Sequence, residues 1–512
     1  MGSIFRSYTD ICQPLETDHR YRNPIIQADY SDPDVIRVGH DFYMTASSFN
    51  CCPGLPILHS TDLIHWSLIG HAVERVPHQR YEEVQHGQGV WAPALRYHLG
   101  KYYIFFPTPD EGIYVTTSEH PSGQWSEPTL LLAGKGLIDP CPFWDDNGEA
   151  WMIHAYAASR AGINGKLHLR PMAPDASALL GPGKIIYDEP IKHPALEGPK
   201  LHKWNGWYYF SAPAGGVATG WQLMLRSKSL FGPYEERIVL AQRGTTTNGP
   251  HQGAMVDTPN GEWWFLHFQD QNAYGRVVHL QPMHWEHDWP VIGIDQDEHG
   301  TGKPVLGYTV PNVVPPRNII PVLGGEGQRS KPSLDLAWQW QANSQSRWYS
   351  LTDRPGFLRL FPQFLNRSDF SKAGHLLLQK FPARVFSVEV TLSLASASEH
   401  VHAGLIVMGA DYGAIDLRNT AQGPCLRLLS NVHSPAIDCP WVDTEVTLRV
   451  EVSEGALCRF GVVKAGQFFQ IGPEQNAKKG TWIGAKVGLY CSSAHPLELG
   501  GTADFKDFTI RS

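Results

Sequence analysis

The chain has 512 residues, too many for one ordinary domain and enough for two well-buried cores. Its formal charge of −8 comes with no Lys/Arg block able to neutralise a row of phosphates, and no stretch reaches the roughly 18 apolar residues of a membrane span, which excludes nucleic acid and membranes as expected partners. Charged residues are 18% of the chain, below the roughly 25% usual for soluble proteins, while 49 Gly, 39 Pro, 17 Trp, 19 Tyr and 21 Phe favour turns and strands, so the expected class is all-β.

Met1 to Glu16 contains no apolar run of the kind found in a secretory leader, which favours a cytoplasmic location over secretion unless a leader has been trimmed. Five stretches then begin on a small or acidic residue, usually followed by Pro, and run through a turn into an aromatic strand. They start near Asp32-Pro33, Ala92-Pro93, Asp139-Pro140, Gly198-Pro199 and Gly249-Pro250. The first reads VIRVGHDFYMTASSF, the second ALRYHLGKYYIFFP, the third FWDDNGEAWMIHAYA, the fourth KLHKWNGWYYFSAP and the fifth MVDTPNGEWWFLHFQD. Gly- or Asn-containing turns such as Val38-Gly39-His40-Asp41 and Trp204-Asn205-Gly206 separate the first two strands of a unit, as hairpins require. The spacing suits one four-stranded blade per repeat, so residues 1–308 are expected to form a five-bladed β-propeller.

The repeat stops near Gly307, and the Pro- and Gly-rich run over 309–332 reads as an extended linker. From 333 to 512, FSVEVTLSL, HAGLIVMG, EVTLRVEVS, AKVGLYCS and ADFKDFTI predict an antiparallel β-sandwich. Cysteines at 12, 51, 52, 141, 425, 439, 458 and 491 show no CxxC pair and read as buried small residues or free thiols, with an oxidised pair within 425 to 491 as the alternative. The acceptor pattern Asn366-Arg367-Ser368 carries little weight without a leader.

A propeller gathers the starts of its inner strands around one channel, so Asp32, Asp139 and Glu197 are expected to converge from three blades. Carboxylates confined together repel one another and lose water, which splits their proton affinities into a base and an acid, the division that glycoside hydrolysis needs. Taken singly, each is equally a turn former. Asp34 is the local rival to Asp32, and Asp145 and Asp146, beside a Gly turn, are expected to be solvated.

NPIIQADYSDPDVIRVGHDFYM, GVWAPALRYHLGKYYIFF, LIDPCPFWDDNGEAWMI, LEGPKLHKWNGWYYFSAP and GPHQGAMVDTPNGEWWFLHFQD resemble the blade motifs of glycoside hydrolase family 43, and QWQAN, SLTDRPGFLRL and AGLIVMGADY resemble the sandwich appended to its β-xylosidase-like members. The resemblance implies a general base at Asp32, a modulating carboxylate at Asp139 and a general acid at Glu197, acting by single displacement with inversion. It also implies sugar-binding aromatics at Phe49 and Trp91 and a hydroxyl-recognising Arg276, against readings as propeller core for the aromatics and as a surface residue for the arginine. His251, read as the blade-five counterpart of Asp32, is a candidate substrate or cation contact. Calcium at His251 or at Asp504 of the sandwich is the one cofactor implied, and none is required. The other histidines are expected mostly at edges and on the surface. The implied substrates are xylo- or arabino-oligosaccharides, with β-xylosidase favoured, α-L-arabinofuranosidase as the alternative, and a non-catalytic sugar-binding or protein-binding propeller beyond those. The second domain is expected either to close one side of the pocket or to act separately, and the oligomeric state is left open.

Overall fold

The computed structural model describes residues 19–313, 332–366, 369–432 and 435–512, apart from the side chain of His251. Most of the expected linker and the Arg367-Ser368 part of the glycosylation pattern lie outside the described residues.

Five four-stranded antiparallel sheets follow one another, each with its strands in sequence order. Blade one is Asp34–Val38, Asp41–Thr45, Gly54–Ser60 and Ser67–Val73. Blade two is Ala94–His98, Lys101–Thr108, Gly112–Ser118 and Thr129–Ala133. Blade three is Leu137–Trp144, Ala150–Tyr156, Lys166–Met172 and Lys184–Asp188. Blade four is Lys200–Trp204, Trp207–Ala214, Trp221–Ser227 and Glu235–Leu240. Blade five is His251–Asp257, Trp263–Asp270, Arg276–Glu286 and Trp289–Ile292. The hairpins close where the residues permit left-handed backbone: Leu99-Gly100 and Asn205-Gly206 both have positive φ at their two central residues, which matches the right-handed strand twist.

The first strand of blade five packs against that of blade one, closing the ring. The chain before blade one runs beside the third strand of blade five, with Ile25 N–H donating to Val278 O at 2.8 Å and Tyr30 N–H to Arg276 O at 2.9 Å. Arg20–Arg22 pairs with Gly307–Thr309 and ties the two ends of the propeller together.

The C-terminal part is a sandwich of two eight-stranded sheets. Phe386–Ala395 and Glu445–Ser453 alternate buried and half-buried residues along their length, the period-two pattern of strands with one face on a core. One short pairing, Gln363–Phe364 with Ser492 and Ser493, is parallel, an exception to the expected antiparallel order. The sandwich core takes in Ala273 and Tyr274 from the propeller. The Tyr274 hydroxyl accepts from Ala456 N–H at 2.8 Å, and Trp340 and Cys52 exchange backbone hydrogen bonds at 2.6 and 3.0 Å. The two domains are therefore stitched together by buried backbone groups, which must find partners when water is excluded.

The structure changes one expectation and bears on two others. Asp145 is not solvated: it is buried and accepts from Lys203 at 2.5 Å and Tyr208 at 2.6 Å, while Asp146 stays exposed. His154, His193, His267, His279, His375 and His402 are buried, while the other histidines with described side chains are partly or fully exposed, as expected of most of them. Among the described residues the seven cysteines are free thiols, six of them buried, so no disulfide joins the 425 to 491 region.

Candidate active site

Asp32, Asp139 and Glu197 line one cleft of about 280 Å³, with Phe49, Trp91, Gln252, Arg276 and Trp482 among its other walls. Many of these residues sit on backbone that L-residues seldom adopt. Asp32, Phe49, Asp139, Ala195, Gln252 and Trp482 have φ of 54°, 53°, 56°, 51°, 56° and 67°. Such strain persists only where surrounding structure holds it, and it gathers at sites that must aim a side chain.

Asp32 and Asp139 occupy the same blade position: each precedes a Pro, and the residue after that Pro, Asp34 or Cys141, is paired with the second strand. In blade four that position belongs to Gly198, with φ 57°, and Glu197 stands one residue earlier, which refines the expected equivalence of the three carboxylates. The offset lets Gly198 N–H donate to Asp139 Oδ2 at 2.7 Å while Glu197 faces the cleft from the preceding residue. Gly198 has no room for a side chain, because a Cβ there would lie 2.6 Å from Gln252 Oε1.

The three carboxyls differ in surroundings. Asp32 Oδ2 accepts from the hydroxyls of Ser31 at 2.6 Å and Ser47 at 2.5 Å, and Arg276 Nη1 lies 3.2 Å from Oδ1. Burial, then the charges of Asp139 and Asp32, push Glu197 up to about 8, against the pull of Arg276. Burial also pushes Asp139 up to about 7, with Asp32 adding to the rise, although the Gly198 N–H and the Lys200 ammonium favour its charged form. The cleft therefore holds two carboxyls, Asp139 and Glu197, whose proton affinity is raised, beside an Asp32 bound by two hydroxyls and a guanidinium.

Arg276 is not a surface residue. It is buried, its Nη1 also donates to Ser31 Oγ at 2.6 Å, and its guanidinium carbon lies 5.6 Å from the Trp482 ring centre. Its Nε has no acceptor. Phe49 is both core and cleft wall: it is buried, and it exchanges backbone hydrogen bonds with Val90. Trp91 is anchored by Nε1 donating to Gly87 O at 2.9 Å, and Arg160 stacks 4.9 Å from its ring centre. The side chain of His251 lies outside the described residues. In blade five the position before the Pro is Gly249, so His251 stands level with Asp34 rather than with Asp32, and it is Gln252 that lines the cleft.

Trp482 was also missed. It belongs to the sandwich, packs edge-on to Trp91 with ring centres 6.2 Å apart, and walls the cleft from the second domain. Nothing in KKGTWIGAK, far along the chain, announces a partner in the propeller.

Asp34 is set apart from the chemistry. It is fully buried and accepts from Arg96 and from Leu95 N–H, both at 2.7 Å, with Lys200 Nζ 3.5 Å away.

With the geometry in place, the sequence profile for glycosyl hydrolases family 43 matches residues 21–290, and that for the β-xylosidase C-terminal concanavalin A-like domain matches residues 330–511. The chain belongs to glycosyl hydrolase family 43. Its relatives include a Xylanibacter ruminicola protein with a provisional β-xylosidase name, 44% identical over 67% of this chain and 63% of that one. A non-reducing-end α-L-arabinofuranosidase of Bacteroides ovatus is 29% identical over 78% of this chain and 75% of its own. Among solved structures, the xylan β-1,4-xylosidase of Bacillus halodurans superposes with a TM-score of 0.83 at 25% identity, covering 96% of this chain and 100% of that one. This family 43 chain thus spans just under two thirds of the Xylanibacter relative.

Of the two candidate calcium positions, the His251 side chain lies outside the described residues, and Asp504 does not fit the ion. Asp504, the candidate ligand in the sandwich, has its oxygens engaged by Arg354 at 2.8 Å and by Arg359 at 2.7 and 2.9 Å. In the propeller, Asp34 on an inner strand already meets Arg96 and Lys200, two cations of the protein itself. Among the described residues no group of three or more His, Cys, Asp or Glu side chains is placed to hold a metal.

Proposed function

We propose that this family 43 enzyme removes terminal β-D-xylosyl groups from the ends of xylo-oligosaccharides by single displacement with inversion. The observation that carries the reading is the single cleft where Asp32, Asp139 and Glu197 meet under a wall supplied by Trp482. Asp32 takes a proton from a water whose oxygen attacks the anomeric carbon. The bond from that carbon to the glycosidic oxygen breaks, and Glu197 delivers its proton to the leaving oxygen. The charge of Asp32, held by Arg276 and two serine hydroxyls, supports its part as acceptor, and the raised Glu197 supports its part as donor. Asp139, tethered to Gly198 N–H beside Glu197, keeps that proton in place. A cleft of about 280 Å³ closed by a second domain suits the end of a chain better than its middle.

The second reading, release of α-L-arabinofuranosyl groups, is favoured by the name of the Bacteroides ovatus relative. Both readings are tested by assaying the p-nitrophenyl β-D-xyloside and α-L-arabinofuranoside side by side and following the anomeric proton of the first product by NMR. The xyloside is expected to be the faster substrate, with α-xylose appearing first. Initial β-xylose would end the inverting mechanism, and failure to turn over either pentoside would end the assignment.

A further inference from the structure

Asp29 lies outside the cleft, three residues before Asp32, and is 5% exposed. Its Oδ1 accepts the backbone N–H of Arg276 at 2.7 Å, and its Oδ2 accepts that of Gly484 at 3.0 Å. Arg276 is the residue whose guanidinium reaches Asp32, and Gly484 stands two residues after Trp482. One carboxylate thus joins three pieces of chain that are far apart in sequence: the approach to Asp32, the blade-five loop, and the sandwich loop that walls the cleft.

The junction has no slack. A Cβ on Gly275 would lie 2.5 Å from Asp29 Cγ, and one on Gly484 would lie 2.8 Å from Gly275 N. Ala485 N–H donates to Ala273 O at 2.7 Å, continuing the seam. From the sandwich, Lys380 donates to the Asp29 carbonyl and places its ammonium 3.6 Å from the Tyr30 ring centre. A carboxylate is needed because both N–H groups point at it: it is acceptor only, whereas an amide side chain would turn an NH₂ toward one of them.

We propose that Asp29 is a positioning residue that sets Arg276 and Trp482 together, so that docking of the sandwich fixes where the guanidinium sits over Asp32. The kinetic part of its test rests on the pentosidase reading; the structural part does not. Hydrogen exchange on full-length Asp29→Asn is expected to show the amides of 275–276 and 482–485 losing protection together while the rest of both domains is unchanged. On the pentoside, kcat/KM is expected to fall by about tenfold or more, the usual effect of losing hydrogen bonds to a charged acceptor. Added to a Trp482→Ala background, the same change should cost less than it does alone, because the two act through one loop. Asp29→Glu, which keeps the charge but displaces it by one methylene, serves if the Asn variant fails to accumulate, with the same joint loss expected. Loss of protection in only one segment or in neither, or fully additive effects with Trp482→Ala, would overturn the proposal. A wild-type enzyme inactive on both pentosides would defeat the substrate reading alone, since the exchange result still decides whether Asp29 couples the two loops.

Discussion

At the residue scale the three carboxyls of the cleft meet different neighbours. Glu197 sits near 8 in the folded chain and near about 4.3 when unfolded. Between those values the native state holds a proton that the unfolded state has released, so stability falls as pH rises through the window. Glu197→Gln removes that linkage. It should melt above the wild type at pH 8, with a gap that closes toward pH 5, each kcal/mol recovered appearing as about 2–4 °C. The same group makes kcat/KM fall as pH rises through about 8, while the variant should lose about 10²-fold or more of kcat on unactivated xylosides. Calorimetry and a pH–rate profile check both. Asp32 and Asp139 could be read as cleft candidates from their shared repeat position, and Glu197 from its place one residue before it. Their surroundings could not be, because burial and which of Ser31, Ser47, Arg276 and Gly198 N–H each one meets are set only by the folded chain.

At the element scale the inner strands bring buried charges together. Asp34, Arg96 and Lys200 come from the first strands of blades one, two and four, and the one carboxylate meets both cations in a buried cluster. Removing the carboxylate leaves two cations uncompensated where water hardly reaches, at a cost of about 3–5 kcal/mol. Asp34→Asn should therefore lower the melting temperature markedly, whereas EDTA should leave both melting and activity of the wild type unchanged; a drop with EDTA, reversed by calcium, would restore the metal reading. The hairpin turns and aromatic strands of each blade could be read directly, since Gly39, Leu99-Gly100 and Asn205-Gly206 bring their own backbone preferences. Asp145 could not, because the Lys203 and Tyr208 that bury it belong to the neighbouring blade.

At the scale of the whole molecule, the sandwich completes the cleft. Trp482 is 46% exposed and supports little of its own domain, so Trp482→Ala should fold and melt like the wild type. It should raise KM on short substrates about tenfold, equivalent to about 1.4 kcal/mol of lost binding, with kcat changed less. An unchanged KM in steady-state assays would remove Trp482 from the binding wall. The expectation that the second domain either closes the pocket or acts separately resolves toward closure, because the loop bearing Trp482 is tied to Asp29 and Ala273 of the propeller.

Local chemistry sufficed for the strands and the turns and brought out the three acids as candidates: a Pro just after an acidic residue or one further on, a Gly in a hairpin and the aromatic strands act over a few bonds, and the fivefold repetition multiplied a weak signal. Gln252, the buried Arg276, the Asp34 cluster and Trp482 emerged only once the ring had closed and the sandwich had docked. Each takes its role from residues tens to hundreds of positions away, and burial and hydrogen bonding across such distances are properties of packing that no short stretch of chain encodes.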